Sequence, residues 1–188
     1  MGKFRSAVLI AAGFLAAQSP ANIEAARTQA REAAAKLSEE IRGLLAKELA
    51  SGGFSGAVKV CSELAQERTR DFARRSGFDI RRVSVKHRNP ANAPDEYERG
   101  KLAEFERLLA KKELPAESSE SVEEDGRRVL RYLKPVVVQS MCLTCHGAPE
   151  RLPAEVRQIL AARYPRDLAT GYRAGELRGA VSVRIELR

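Results

Sequence analysis

The chain has no tryptophan, and aromatic residues of all kinds make up only 5% of it, so its core must rest on aliphatic side chains or on a large apolar body recruited from outside. Two histidines, two methionines and three cysteines in 188 residues leave few side chains able to grip a soft metal. Three is an odd number, whereas a framework of structural disulfides uses cysteines in pairs. No uncharged apolar run reaches the roughly twenty residues that a membrane-spanning helix needs. The cations are not gathered either. The formal net charge is +8, but the arginines are scattered among Glu and Asp, and a chain without a basic block is not expected to bind nucleic acid.

The length is one domain's worth, and 44% hydrophobic content suffices for one buried core. Lys3 and Arg5 precede an eleven-residue apolar run, Ala7 to Ala17, followed by Ser19-Pro20-Ala21. A short apolar run behind a positive start and before small residues reads as a cleavable export leader, so residues 1–21 are expected to be a signal peptide and 22–188 the mature domain. The expected location is the periplasm, without stable membrane insertion after cleavage. The alternative is an uncleaved leader that anchors the domain there.

Two of the cysteines lie in Met141-Cys142-Leu143-Thr144-Cys145-His146-Gly147, which contains C-x-x-C-H. Thiols three positions apart on a helical turn can each add to one of two neighbouring vinyl groups of a haem, and the next side chain points beneath the ring. The expectation is one covalently attached haem c per chain, bound through Cys142 and Cys145 with His146 on the iron. A zinc site built from Cys61, Cys142, Cys145 and His146 fits less well, because adjacent side chains such as Cys145 and His146 seldom converge on one tetrahedral ion. A thioredoxin-like dithiol would belong near a βαβ pattern, which this region lacks.

Once the leader is removed, the remaining methionine is Met141, poorly placed for the far face of the haem. The opposite iron position is then open to Cys61, His87, a Lys or Tyr, water, or nothing. Cys61 lies on a helical face with Ala57, Val58, Leu64, Ala65 and Phe72, where a free cysteine is either a ligand or a small buried hydrophobe. His87 sits in the polar stretch Val85 to Asn89 and reads as a surface residue. Arg82 and Arg88 are candidate partners for haem propionates.

Periodicity predicts a long helix over 23–50 with a stripe of Ile23, Ala26, Ala30, Ala33, Leu37, Ile41, Leu44 and Leu49, stopped by Gly52-Gly53. That Ala-rich seam could also pair with a second copy as a homodimer. A second helix is predicted over 55–75 and a strand over 80–86. The Pro-rich link 89–94 leads to a capping box at Asp95 and Glu98 that opens a helix to about Lys112. Asp125-Gly126 predicts a hairpin between strands 118–124 and 127–138. A helix over 153–164 and a terminal strand over 179–187 complete an α+β reading.

The order of these motifs resembles a known family. Val58-Lys59-Val60-Cys61, the run from Arg88 to Glu98, Cys142 to Pro149, Tyr164-Pro165-Arg166-Asp167 with Gly171-Tyr172, and Gly179 to Val183 together are similar to the exported single-haem c-type cytochrome domains with a PAS-like fold found in periplasmic sensor regions. The resemblance implies a PAS-like antiparallel sheet flanked by helices, with His146 on one side of the iron and Cys61 on the other. Its members often precede transmembrane signalling modules. Here the strand pattern runs to Leu187, so a separate redox or signalling protein is expected as partner. The functional expectation is a non-enzymatic redox or small-ligand sensor, with a periplasmic electron-transfer cytochrome as the alternative.

Overall fold

A computed structural model describes residues 20–187, except the side chains of residues 20, 21, 61 and 62. The expected leader therefore lies outside the described residues, and among those described no helix is long and apolar enough to cross a membrane.

Helix α1 (Pro20–Lys59) opens the fold. Its small side chains decide how it packs: Ala26, Ala30, Ala33, Ala34 and Leu37 are buried and bring the helix against Ile80, Leu130, Tyr132, Val181, Val183 and Ile185 of the sheet. Arg31 and Tyr132 both bond to Glu117 at the edge of this contact. The predicted stripe is fully buried only from Ala26 to Leu37. Ile41 is half-buried at the edge of the core cluster, and beyond it Leu44 is half-buried and Leu49 is 40% exposed. Helical geometry breaks at Gly53, whose φ of 58° and ψ of −149° suit only glycine. The glycine pair thus turns the helix rather than ending it. A single π turn, Val60–Leu64, then joins α1 to α2 (Ala65–Ser76).

The sheet is four-stranded and antiparallel, in the order β1-β4-β3-β2, with β1 (Asp79–Val83), β2 (Ser118–Glu124), β3 (Arg127–Val137) and β4 (Leu177–Glu186). The fold is α+β, with α1 and α2 on one face and α3 (Glu96–Ala110) on the other, where Leu102 and Phe105 meet Val83, Leu133, Leu177 and Ala180. The predicted hairpin forms at Asp125 and Gly126, which have φ of 51° and 72°, as a two-residue turn of that hand requires. The capping box forms too: Asp95 accepts from the Glu98 amide, and Glu98 accepts from the Asp95 amide. Strand β1 is shorter than predicted, since the Ser84 amide turns away to Asn92 and the Ser84 hydroxyl to the Arg178 carbonyl.

Where β4 begins, Gly179 has φ of 150°, and a Cβ there would lie 2.1 Å from the Val83 carbonyl oxygen. Gly179→Ala is expected to cost about 2–4 kcal/mol from strain and overpacking. Gly43→Ala, in open space on α1, should instead add up to about 1 kcal/mol. Thermal unfolding of the two variants would then shift in opposite directions, at about 2–4 °C per kcal/mol for a chain of this length.

Candidate functional site

Strand β3 hands the chain to the 3-10 turn Ser140–Cys142, which runs into the single helical turn α4 (Leu143–His146). The two motif cysteines therefore stand one turn apart. Gly147 closes the turn through its amide to the Leu143 carbonyl at 2.8 Å. Two further main-chain bonds, Gly171 to Gly147 and Tyr172 to His146, lash the motif to the segment beyond helix α5 (Ala154–Arg163).

That segment orients the histidine. His146 Nδ1 lies 2.6 Å from the carbonyl oxygen of Ala169, and a carbonyl can only accept, so the proton sits on Nδ1 and the lone pair on Nε2. Burial, with Arg178 and Arg88 nearby, pushes the His146 pKa down to about 3, so the ring is neutral at ordinary pH. A neutral imidazole with one nitrogen engaged by a carbonyl is the form that ligates metals. Tyr172 meets the same ring edge-on, at 6.3 Å between centroids, and carries Lys86 Nζ over its own face at 4.1 Å.

A buried charge pair holds the carbonyl in place. Arg88, 5% exposed at its side chain, donates from Nε to Asp167 at 2.9 Å and from Nη2 to the Cys145 carbonyl at 2.7 Å. The other Asp167 oxygen accepts from the Ala169 amide at 2.8 Å. These bonds form a closed path from Cys145 through Arg88, Asp167 and Ala169 back to His146. Arg88 Nη1 is buried without a partner among the described residues. Arg82 lies on the α1 face of the sheet with Ile80.

Cys145 packs against an apolar cluster of Val58, Leu152, Val156 and Leu160, which joins the end of α1 to α5. Val58 stands one helical turn before Cys61, so the Cys61 backbone is carried in the π turn of the helix that touches the motif. The Cys61 side chain itself lies outside the described residues. His87 is not the exposed residue expected from its polar neighbours. It is half-buried, with its carbonyl accepting from Leu168 and its Nδ1 buried without a partner among the described residues. A cleft of about 410 Å³ opens beside the motif, lined among others by Pro149, Leu152, Leu160 and Tyr164.

The donor set and its surroundings fit a covalently held haem: two thiols on one turn, a neutral imidazole with Nε2 available, and an aliphatic wall. Sequence reasoning missed Asp167 and Ala169. Asp167 lay within a recognised motif but gave no sign of its role, and Ala169 acts through its main chain. Removing one member of a buried ion pair costs about 3–5 kcal/mol. Asp167→Ala should therefore lower the thermal midpoint by about 10 °C, which differential scanning calorimetry would detect.

Three comparisons bear on this arrangement. Among curated proteins none matches the chain. Among solved structures, the crystal structure of the cyanobacterial heme-protein Tll0287 matches with a TM-score of 0.67 and 26% identity, covering 90% of this chain and 98% of that one. The Tll0287-like family profile matches residues 18–186, taking in the long helix, the sheet and the C-x-x-C-H turn alike, and on that extent the chain belongs to the Tll0287-like family.

Proposed function

We propose that this chain is an exported c-type haem protein, with one haem joined to Cys142 and Cys145, His146 as one iron ligand and Cys61 as the other. The observation that carries the reading is the His146 imidazole, held by the Ala169 carbonyl with Nε2 available, on the same turn as two thiols. The haem-protein title of the matching structure supports it. When bound, haem supplies one-electron iron chemistry and a position for a small ligand.

The residues of the chain set the terms for that chemistry. The Ala169 carbonyl makes the imidazole a stronger donor and fixes its plane. A soft thiolate from Cys61, as the second residue to hold the iron, would favour the ferric state and keep the potential low. Reduction would weaken that bond, and movement of the π turn that carries Cys61 would report the change. This is the behaviour of a redox or small-ligand sensor in the periplasm, built on a PAS-like sheet and read by a separate protein, rather than of an enzyme. A periplasmic electron carrier is the second reading. It is favoured by the surface position of the attachment turn, where Met141, next to Cys142, is 56% exposed and a partner could approach.

Expression in a host able to mature c-type haem should give a coloured protein heavier than its amino acids by one haem. A colourless product of unmodified mass removes the whole reading. In the Cys61→Ala variant the haem should stay attached, while the ferric spin-resonance spectrum changes and the reduction potential rises; an unchanged spectrum would exclude Cys61 as a ligand. Carbon monoxide added to the reduced protein should shift its absorption bands. Bands that stay in place would leave the electron carrier.

A further inference from the structure

A single hydrogen bond is a loose hinge. Such bonds keep most of their strength over about 30° of misalignment, so the Ala169 carbonyl sets the plane of the His146 ring only to within that range. The second contact on the imidazole comes from Tyr172, whose ring stands at 90° to it with centroids 6.3 Å apart. Edge-on packing is a preferred arrangement of two aromatic rings, and it opposes the rocking that the hydrogen bond allows.

Tyr172 is itself held on several sides. Gly171, at φ of 74°, bends the main chain so that its own amide reaches the Gly147 carbonyl and the Tyr172 amide reaches the His146 carbonyl at 2.9 Å. Tyr172 is buried, and two cations rest over its ring: the Lys86 ammonium at 4.1 Å from the centroid and the Arg178 guanidinium at 5.4 Å. Arg178 also donates to the Ser84 hydroxyl and to the Lys86 carbonyl, which closes the loop after β1 onto the same ring. Lys86 has no carboxylate partner among the described residues, so the aromatic face is where its charge is engaged. The Tyr172 hydroxyl has no hydrogen-bond partner among them either. The engaged part of this side chain is thus the ring and not the phenol.

We propose that Tyr172 is a positioning residue for the iron ligand His146: its ring, clamped by Lys86 and Arg178, completes the alignment that the Ala169 carbonyl begins. The inference rests on the haem reading above and gives a role to a side chain which that reading leaves unused. An imidazole free to rock overlaps the iron less well on average, donates less to it and supports the ferric state less. In ferric haem the anisotropy of the spin-resonance signal follows the plane of the axial imidazole, so a spread of planes broadens the signal.

Spin resonance and redox titration of the haem-loaded full-length chain, beside Tyr172→Leu and Tyr172→Phe, test the proposal. The main-chain bond from residue 172 to His146 is open to both variants. Tyr172→Leu should keep its haem, give a broader ferric signal and shift the ferric-to-ferrous ratio at a fixed potential about threefold towards ferrous. Tyr172→Phe, which keeps the ring, should show the signal and the ratio of the wild type. Should Tyr172→Leu not fold, Tyr172→Met fills the space with a flexible chain and carries the same expectation. A lowered thermal midpoint with signal and ratio unchanged marks a merely structural tyrosine and overturns the proposal. So does a Tyr172→Phe protein that behaves like Tyr172→Leu, which would assign the effect to the hydroxyl. A colourless wild-type chain removes the haem reading and this inference together. A coloured wild type matched by its Tyr172→Leu or Tyr172→Met form removes this inference alone.

Discussion

The hydrogen bond between His146 Nδ1 and the Ala169 carbonyl is the constraint on which the site depends. A part-buried imidazole needs a partner for its N–H, and the partner decides which nitrogen faces outward. Because the partner is a main-chain atom, the path of residues 164–172 has to be fixed in turn. Asp167 fixes it from within, Arg88 fixes Asp167, and the remaining reach of Arg88 goes to the carbonyl of Cys145. One side chain's tautomer thus ties together three stretches of chain that are far apart in sequence.

Much of the scaffold was legible in the sequence because its signals are local. Asp95 with Glu98 announces a helix start, and Asp125-Gly126 announces a tight hairpin, whatever the rest of the chain does. The C-x-x-C-H spacing is local in the same sense, and it placed Cys142, Cys145 and His146 on one turn. The Ala-rich stripe of α1 identified the buried face as well, but how far burial extends depends on where the core cluster lies, which no helical period encodes.

What stayed hidden depends on contacts between distant segments. Ala169 contributes a carbonyl, which leaves no mark on residue type. Arg88 was singled out beside Arg82 as a partner for propionates, but its bonds to Asp167 and to the Cys145 carbonyl had no signature in the sequence. His87 was assigned to the surface from its polar neighbours, yet the 167–169 loop half-covers it. The arginines and carboxylates beneath α3 alternate along their strands like a solvated face, and only strand pairing sets Arg131 beside Arg184 and Asp79. Gly52-Gly53 was read as a stop, whereas the helix turns there and continues to Lys59, because a glycine pair does not say whether a helix ends or folds over.

The stretch of α1 before Gly53 has a geometric consequence. From Pro20 to Gly52 it spans about 50 Å at 1.5 Å per residue. Its buried turns, from Ala26 to Leu37, share the core cluster with Ile185 and Leu187, while the turns beyond Gly53 meet the cluster around Cys145. The straight part of α1 is thus a stiff spacer that ends at the Gly53 turn, and only the turns beyond it touch the motif. Because the core clamps that spacer along its alanine seam, its far end cannot swing independently of the sheet.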